Sequence, residues 1–126
     1  MFKASKAFSS YSIDHVGRAR AFYGETLGLD ISDGVTKGQA IITLGDGHRV
    51  YLYERPNHQP ATFTVLNFQV SDIDQTVDEL TKLGIGFERY DQPDLKTDKK
   101  GISRQGPIIA WFKDPAGNIL SVVAEK

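Results

Sequence analysis

The chain has 126 residues, 15 basic and 16 acidic, so it is of single-domain size, nearly neutral, and long enough to bury a core unaided. It has no cysteine, which excludes a disulfide framework, a thiolate nucleophile and a thiolate metal site. Basic residues are scattered, and the densest charge cluster, DLKTDKK at 94–100, mixes both signs. Nucleic acid is therefore not an expected partner.

The first ten residues lack the apolar run of a signal peptide, and no later run reaches membrane-spanning length. No membrane association is expected, and the expected location is cytoplasmic. Residues 11–32 begin with a strand-like run and continue into an amphipathic stretch. Asp14 is positioned to cap a helix with Val16, Ala19, Phe22, Tyr23 and Leu27 on one side, and Gly28 as its stop. Residues 38–54, GQAIITLGDGHRVYLYE, read as strand, glycine turn, strand. A linker at 55–61 follows.

Residues 68–88 then repeat the first pattern. Ser71 or Asp72 caps, Ile73, Val77, Leu80 and Leu83 point inward, Gly84 stops the helix, and another strand-like run follows. An insertion at 90–105 has no counterpart in the first copy. Its length suits either an active-site flap or a disordered surface loop. The final segment, 106–125, is a second strand–turn–strand. In its turn, DPAGN, Pro115 presets the backbone, and Gly117 and Asn118 tolerate positive φ. Pairing Lys113 with Ile119 sets Trp111 opposite Ser121 on one face, with Phe112, Leu120 and Val122 on the other.

The expected fold is α+β, a single domain of two paired βαβββ modules, about 5–54 and 62–125. Their curled mixed sheets would surround a central cavity. By strand alternation that cavity takes Ser9, Tyr11, Leu52 and Glu54 from the first module, and Asn67, Gln69, Trp111 and Ser121 from the second. Ile42, Val50, Ile109 and Val123 share the same face, whereas Tyr51, Tyr53, Phe68 and Phe112 would pack against the helices. An apolar pocket with an indole, a phenol and two amides suits a small molecule. The competing structural role is that Trp111 only fills space, its N–H bonded to Asn67 or Gln69. There is no Ser-His-Asp set and no phosphate loop. His15, His48 and His58, like Arg49 and Lys113, are expected to be solvated. Metal-free catalysis would rest on Glu54 or Tyr11 as acid or base.

The paired units, the segment DHVGRARAFYGETLGLD and the ending DPAGNILSVV resemble the vicinal oxygen chelate superfamily, which includes glyoxalases, bleomycin-resistance proteins and extradiol dioxygenases. The resemblance implies four metal-ligand positions, which here hold Ala7, Val65, Ser121 and, in the first unit's last strand, about Leu52, with Glu54 one pleat away. Methyl groups offer a cation no lone pair, so no metal and no cofactor is expected. The reading that follows is a metal-free member binding a small neutral apolar or aromatic molecule. The alternative is an enzyme of lyase, isomerase or dioxygenase type, with an unanticipated metal arrangement or none. A third reading is an interaction module with a filled cavity. The resemblance also implies a homodimer. A bleomycin-like cationic ligand would want an acidic cleft, which near-neutrality argues against.

Overall fold

The computed structural model describes residues 2–4 and 6–125. They form two compact units, Met1–Pro60 and Ala61–Lys126.

In the first unit, β1 (Ser9–Ile13) leads to α1 (Val16–Arg20), which widens into a π-helical turn, Ala21–Thr26. Three strands follow, β2 (Asp30–Asp33), β3 (Gln39–Thr43) and β4 (Arg49–Glu54). The sheet order is β1-β4-β3-β2, with β1 parallel to β4 and the other pairs antiparallel. The helix is capped by His15, not Asp14. His15 has the extended backbone of a capping residue, and its Nδ1 accepts from the Arg18 amide at 3.4 Å. Glu54 supports the same end, its Oε2 accepting from the Val16 amide at 2.8 Å. A carboxylate there meets amides that have no partner within the helix. Gly28 ends the segment at φ 73.

The second unit begins with β5 (Thr64–Val70) and α2 (Ile73–Lys82). Asp72 caps α2, its side chain accepting from the Gln75 amide at 3.0 Å. Ile73 and Val77 are buried, but Leu83 is 57% exposed. Leu83 is the residue at which α2 ends, so it does not continue the inward stripe. No regular strand follows α2. Instead the Glu88 amide makes a ladder-like bond to the Trp111 carbonyl, 2.8 Å. The insertion is folded: β6 (Asp91–Gln92) and β7 (Leu95–Lys96) form a small hairpin, and β8 (Ile102–Ser103) joins the main sheet. With β9 (Ile109–Lys113) and β10 (Ile119–Ala124) the order is β5-β10-β9-β8. It repeats the first unit's order, but the edge strand comes from the insertion.

The DPAGN turn closes as its residues demand. Asp114 accepts from the amides of Ala116 at 3.0 Å and Asn118 at 2.8 Å, and from the Asn118 side chain at 3.1 Å. Gly117 alone takes a positive φ, 85; among the described residues no other type does, Asn118 included.

Candidate functional site

Paired residues in a ladder share a face, so register and contacts assign every strand residue. In the second unit, Leu66, Phe68, Ala110, Phe112, Leu120 and Val122 lie on one face. Ala110, Phe112, Leu120 and Val122 are buried there. The opposite face carries Asn67, Gln69, Ile109, Trp111, Ser121 and Val123. The four candidates from this unit thus stand together on one surface, with Trp111 directly opposite Ser121 and Ser121 beside Asn67.

The chemistry of that surface is largely uncharged. Ser121 is fully buried and donates to Oδ1 of the exposed Asn67 side chain. The Trp111 indole N–H donates to Thr64 Oγ1 at 3.2 Å, not to Asn67 or Gln69. A register shift between Ile119 and Leu120 places Thr64 beside Ile119 and so beside the indole. Such a bulge re-aims a side chain that strict alternation would place on the far face. Tyr90 meets the Trp111 ring at right angles, centroids 5.7 Å apart. At the rim, Lys113 and Glu88 pair at 3.6 Å and offset each other's charge.

Neither Thr64 nor Tyr90 was among the residues expected from the sequence. The bulge left no signal in the pattern TFTVLNF. Tyr90 did leave one: an aromatic residue immediately after the run that returns from α2 toward β9.

In the first unit the expected face is reversed. Tyr11, Ile13, Ala40, Ile42, Val50 and Leu52 share the buried face, and the Tyr11 hydroxyl bonds that of Tyr23, in the helical segment, at 2.7 Å. The helix therefore covers the side holding Tyr11 and Leu52. Tyr51 and Tyr53 lie on the opposite side and are only part-buried. Ser9 shares the parity of Tyr11, but lies exposed at the strand end and bonds His48 Nε2 at 3.0 Å. Glu54 is engaged at the start of α1. Tyr11 and Glu54, the expected acid and base, are thus both committed to structural bonds. The histidines also have partners: His15 caps α1, His48 meets Ser9, and His58 Nδ1 meets Ser12 at 2.7 Å.

The metal positions implied by the resemblance do not fit a cation. Ala7 lies in a groove of about 810 Å³ lined by Lys6, His48 and Arg49, with Asp46 its one carboxylate, and Asp46 accepts from the His48 amide at 2.9 Å. Leu52 is fully buried, and Ser121 is spent on Asn67. Among the described residues no three His, Asp or Glu side chains come together as a metal site.

Two βαβββ units of matching strand order, each with a helix against one sheet face, define a paired-module α+β protein. The chain belongs to the Glyoxalase/Bleomycin resistance protein/Dioxygenase superfamily, whose model matches residues 10–122. Among solved structures, it is similar to a glyoxalase-family candidate from Bacillus anthracis, at 25% identity and TM-score 0.70, with 100% of both chains covered. It is also similar to TnmS3, an antibiotic binding protein from Streptomyces sp. CB03234, at 20% identity and TM-score 0.67, covering 99% of this chain and 100% of that one. A lactoylglutathione lyase from Agrobacterium tumefaciens shares 20% identity and a TM-score of 0.66, with 96% and 94% covered. The comparison with curated proteins gave no match.

Proposed function

We propose that this chain is a metal-independent small-molecule-binding member of the superfamily, taking a neutral, partly aromatic ligand on the Trp111 surface. The fold alone does not decide between binding and catalysis, since an antibiotic-binding protein and a lyase both share it. The choice rests on the residues of this chain. The observation that carries it is the part-buried indole, fixed by Thr64 and Tyr90, beside exposed Asn67 and Gln69 and an uncharged centre at Ser121. An indole offers a wide flat surface with few rotatable bonds, and neighbouring amides can orient a ligand's polar edge.

Trp111 is the sole tryptophan, so its fluorescence reports on this surface alone. Titration with neutral planar compounds should perturb the emission saturably. Trp111→Ala should weaken binding of the responding compound by about 1–3 kcal/mol, as when an aromatic stacking platform is truncated. Unchanged affinity in that variant would show that Trp111 is only a packing residue.

A further inference from the structure

The insertion reaches the Trp111 ring through one residue and is held down by charges. Tyr90 is its first residue and packs edge-on with the indole. The Tyr90 amide donates to Thr97 Oγ1 at 2.8 Å, and the Thr97 amide returns to the Tyr90 carbonyl at 2.9 Å. Thr97 precedes Asp98, whose Oδ1 accepts from the amides of Lys100 at 2.9 Å and Ile102 at 3.0 Å. That turn aims Lys100 at α2, where its Nζ pairs with Asp78 at 3.0 Å and Asp74 at 3.5 Å. Arg104 pairs with Asp74 at 2.8 Å and reaches back to Asp98 at 3.5 Å.

We infer that residues 90–105 form an ion-latched strap that positions the Trp111 ring through Tyr90, so that a neutral planar ligand binds less tightly as salt rises. The inference rests on the binding reading above, and it extends that reading to regulation of the same surface. A neutral ligand's own stacking contacts involve no ion pairs. The latch does: its side chains are 39–54% exposed, where mobile ions reach and screen them. Single exposed pairs hold little, but here four share Asp74, Lys100 and Arg104 and act on one segment. Loosening the strap frees Tyr90, and the indole then has to be ordered by the ligand at a cost in affinity. Tyr90 is thus a positioning residue, acting through Trp111.

The test uses coumarin as the neutral planar probe, with affinity measured by equilibrium dialysis and Trp111 emission recorded without ligand. Raising salt from about 0.02 M to about 0.5 M should red-shift the ligand-free emission and weaken coumarin about threefold in the unsubstituted chain. Asp74→Asn should reproduce both effects at low salt. Tyr90→Ala should show the same loss with no further salt response, and Tyr90→Phe, which keeps the ring, should rescue both affinity and salt dependence. Emission and affinity indifferent to salt and to Asp74→Asn would overturn the latch, while the binding reading would stand if Trp111→Ala still lost coumarin. Coumarin binding untouched by Trp111→Ala, or absent altogether, would count against the binding reading, and the ligand-free emission would still decide the latch.

Discussion

Asp114 is the buried carboxylate that organises the last hairpin of the second unit. It is 5% exposed and accepts hydrogen bonds from the amides of Ala116 and Asn118 and from the Asn118 side chain, within the turn joining β9 to β10. Asp114→Ala should therefore cost about 2–4 kcal/mol, the scale of several buried bonds to a charged acceptor, read by urea unfolding. A loss below half a kilocalorie would mean that Gly117 and Pro115 suffice for the turn. Ser121 offers a second test at the same scale. It is wholly buried with its hydroxyl on an amide oxygen, so Ser121→Glu would set an acceptor against an acceptor and bury a charge without a partner. That substitution should lower the melting temperature markedly, by about 3 kcal/mol or more in stability, with no recovery on adding zinc. Recovery would mean that neighbouring ligands exist.

The strap and the strands belong to the scale of elements. Partial burial pushes the Asp98 carboxyl up, but bonds from the Ile102 and Lys100 amides and the Arg104 guanidinium outweigh it and hold the group below its ordinary 3.8. A carboxylate depressed by folding stabilises above its unfolded value and loses that contribution as pH falls through its folded one. Lys100 is raised above 10.5, chiefly by its bond to Asp78, opposed by slight desolvation and aided by Asp74; its contribution is present below 10.5 and lost as pH rises through the folded value. Hydrogen exchange at the Ile102 amide should thus be most protected, relative to intrinsic rates, between these limits, and should fail first below about pH 4. Protection unchanged at that pH would show that Asp98 does not hold the strap. Register was legible in the last hairpin because a five-residue turn with one glycine admits one pairing, and the Lys113–Ile119 match follows from it. The face of β1 and β4 was not legible. SSYSI and RVYLYE alternate acceptably in either sense, and strand alternation alone does not say which side the helix covers; the sense expected put Tyr11 and Leu52 in the cavity and Tyr51 and Tyr53 against the helix. The π-helical turn after α1 brings Tyr23 to Tyr11, and nothing in AFYGET announces it. The missing strand after α2 was hidden similarly, since IGFE reads as a strand until β8 is seen occupying the edge.

For the whole molecule, the duplication was the most legible feature, because two helix patterns with Leu-Gly stops and two glycine-turn hairpins recur in the same order. Composition singles out neither unit's surface, since exposed apolar side chains occur in both, Phe2, Phe8 and Val35 in the first and Phe63 and Leu83 in the second. We propose a homodimer, as the family resemblance implies; sedimentation showing a monomer throughout the micromolar range would end it. Elemental analysis of dialysed protein should likewise find no stoichiometric zinc, nickel, manganese or iron, given the side chains at Ala7, Val65 and Ser121. About one retained ion per chain would contradict this.

The strand orders β1-β4-β3-β2 and β5-β10-β9-β8 put the last-made strand of each unit in the interior of its sheet. During translation, then, β5 has no ladder partner while α2, the strap and β9 emerge from the ribosome. It must wait for Ile119–Ala124, which closes a parallel pairing over a long stretch of chain, the slow kind of contact to form. A nascent chain stalled just before Ile119 should therefore present the apolar side of β5 to chaperones and proteases. Fused to a C-terminal linker long enough to carry Ala124 clear of the exit tunnel, the stalled chain should instead resist proteolysis in this unit. The first unit is complete at Glu54 by the same criterion, so protection should be acquired in two separate steps as the chain lengthens.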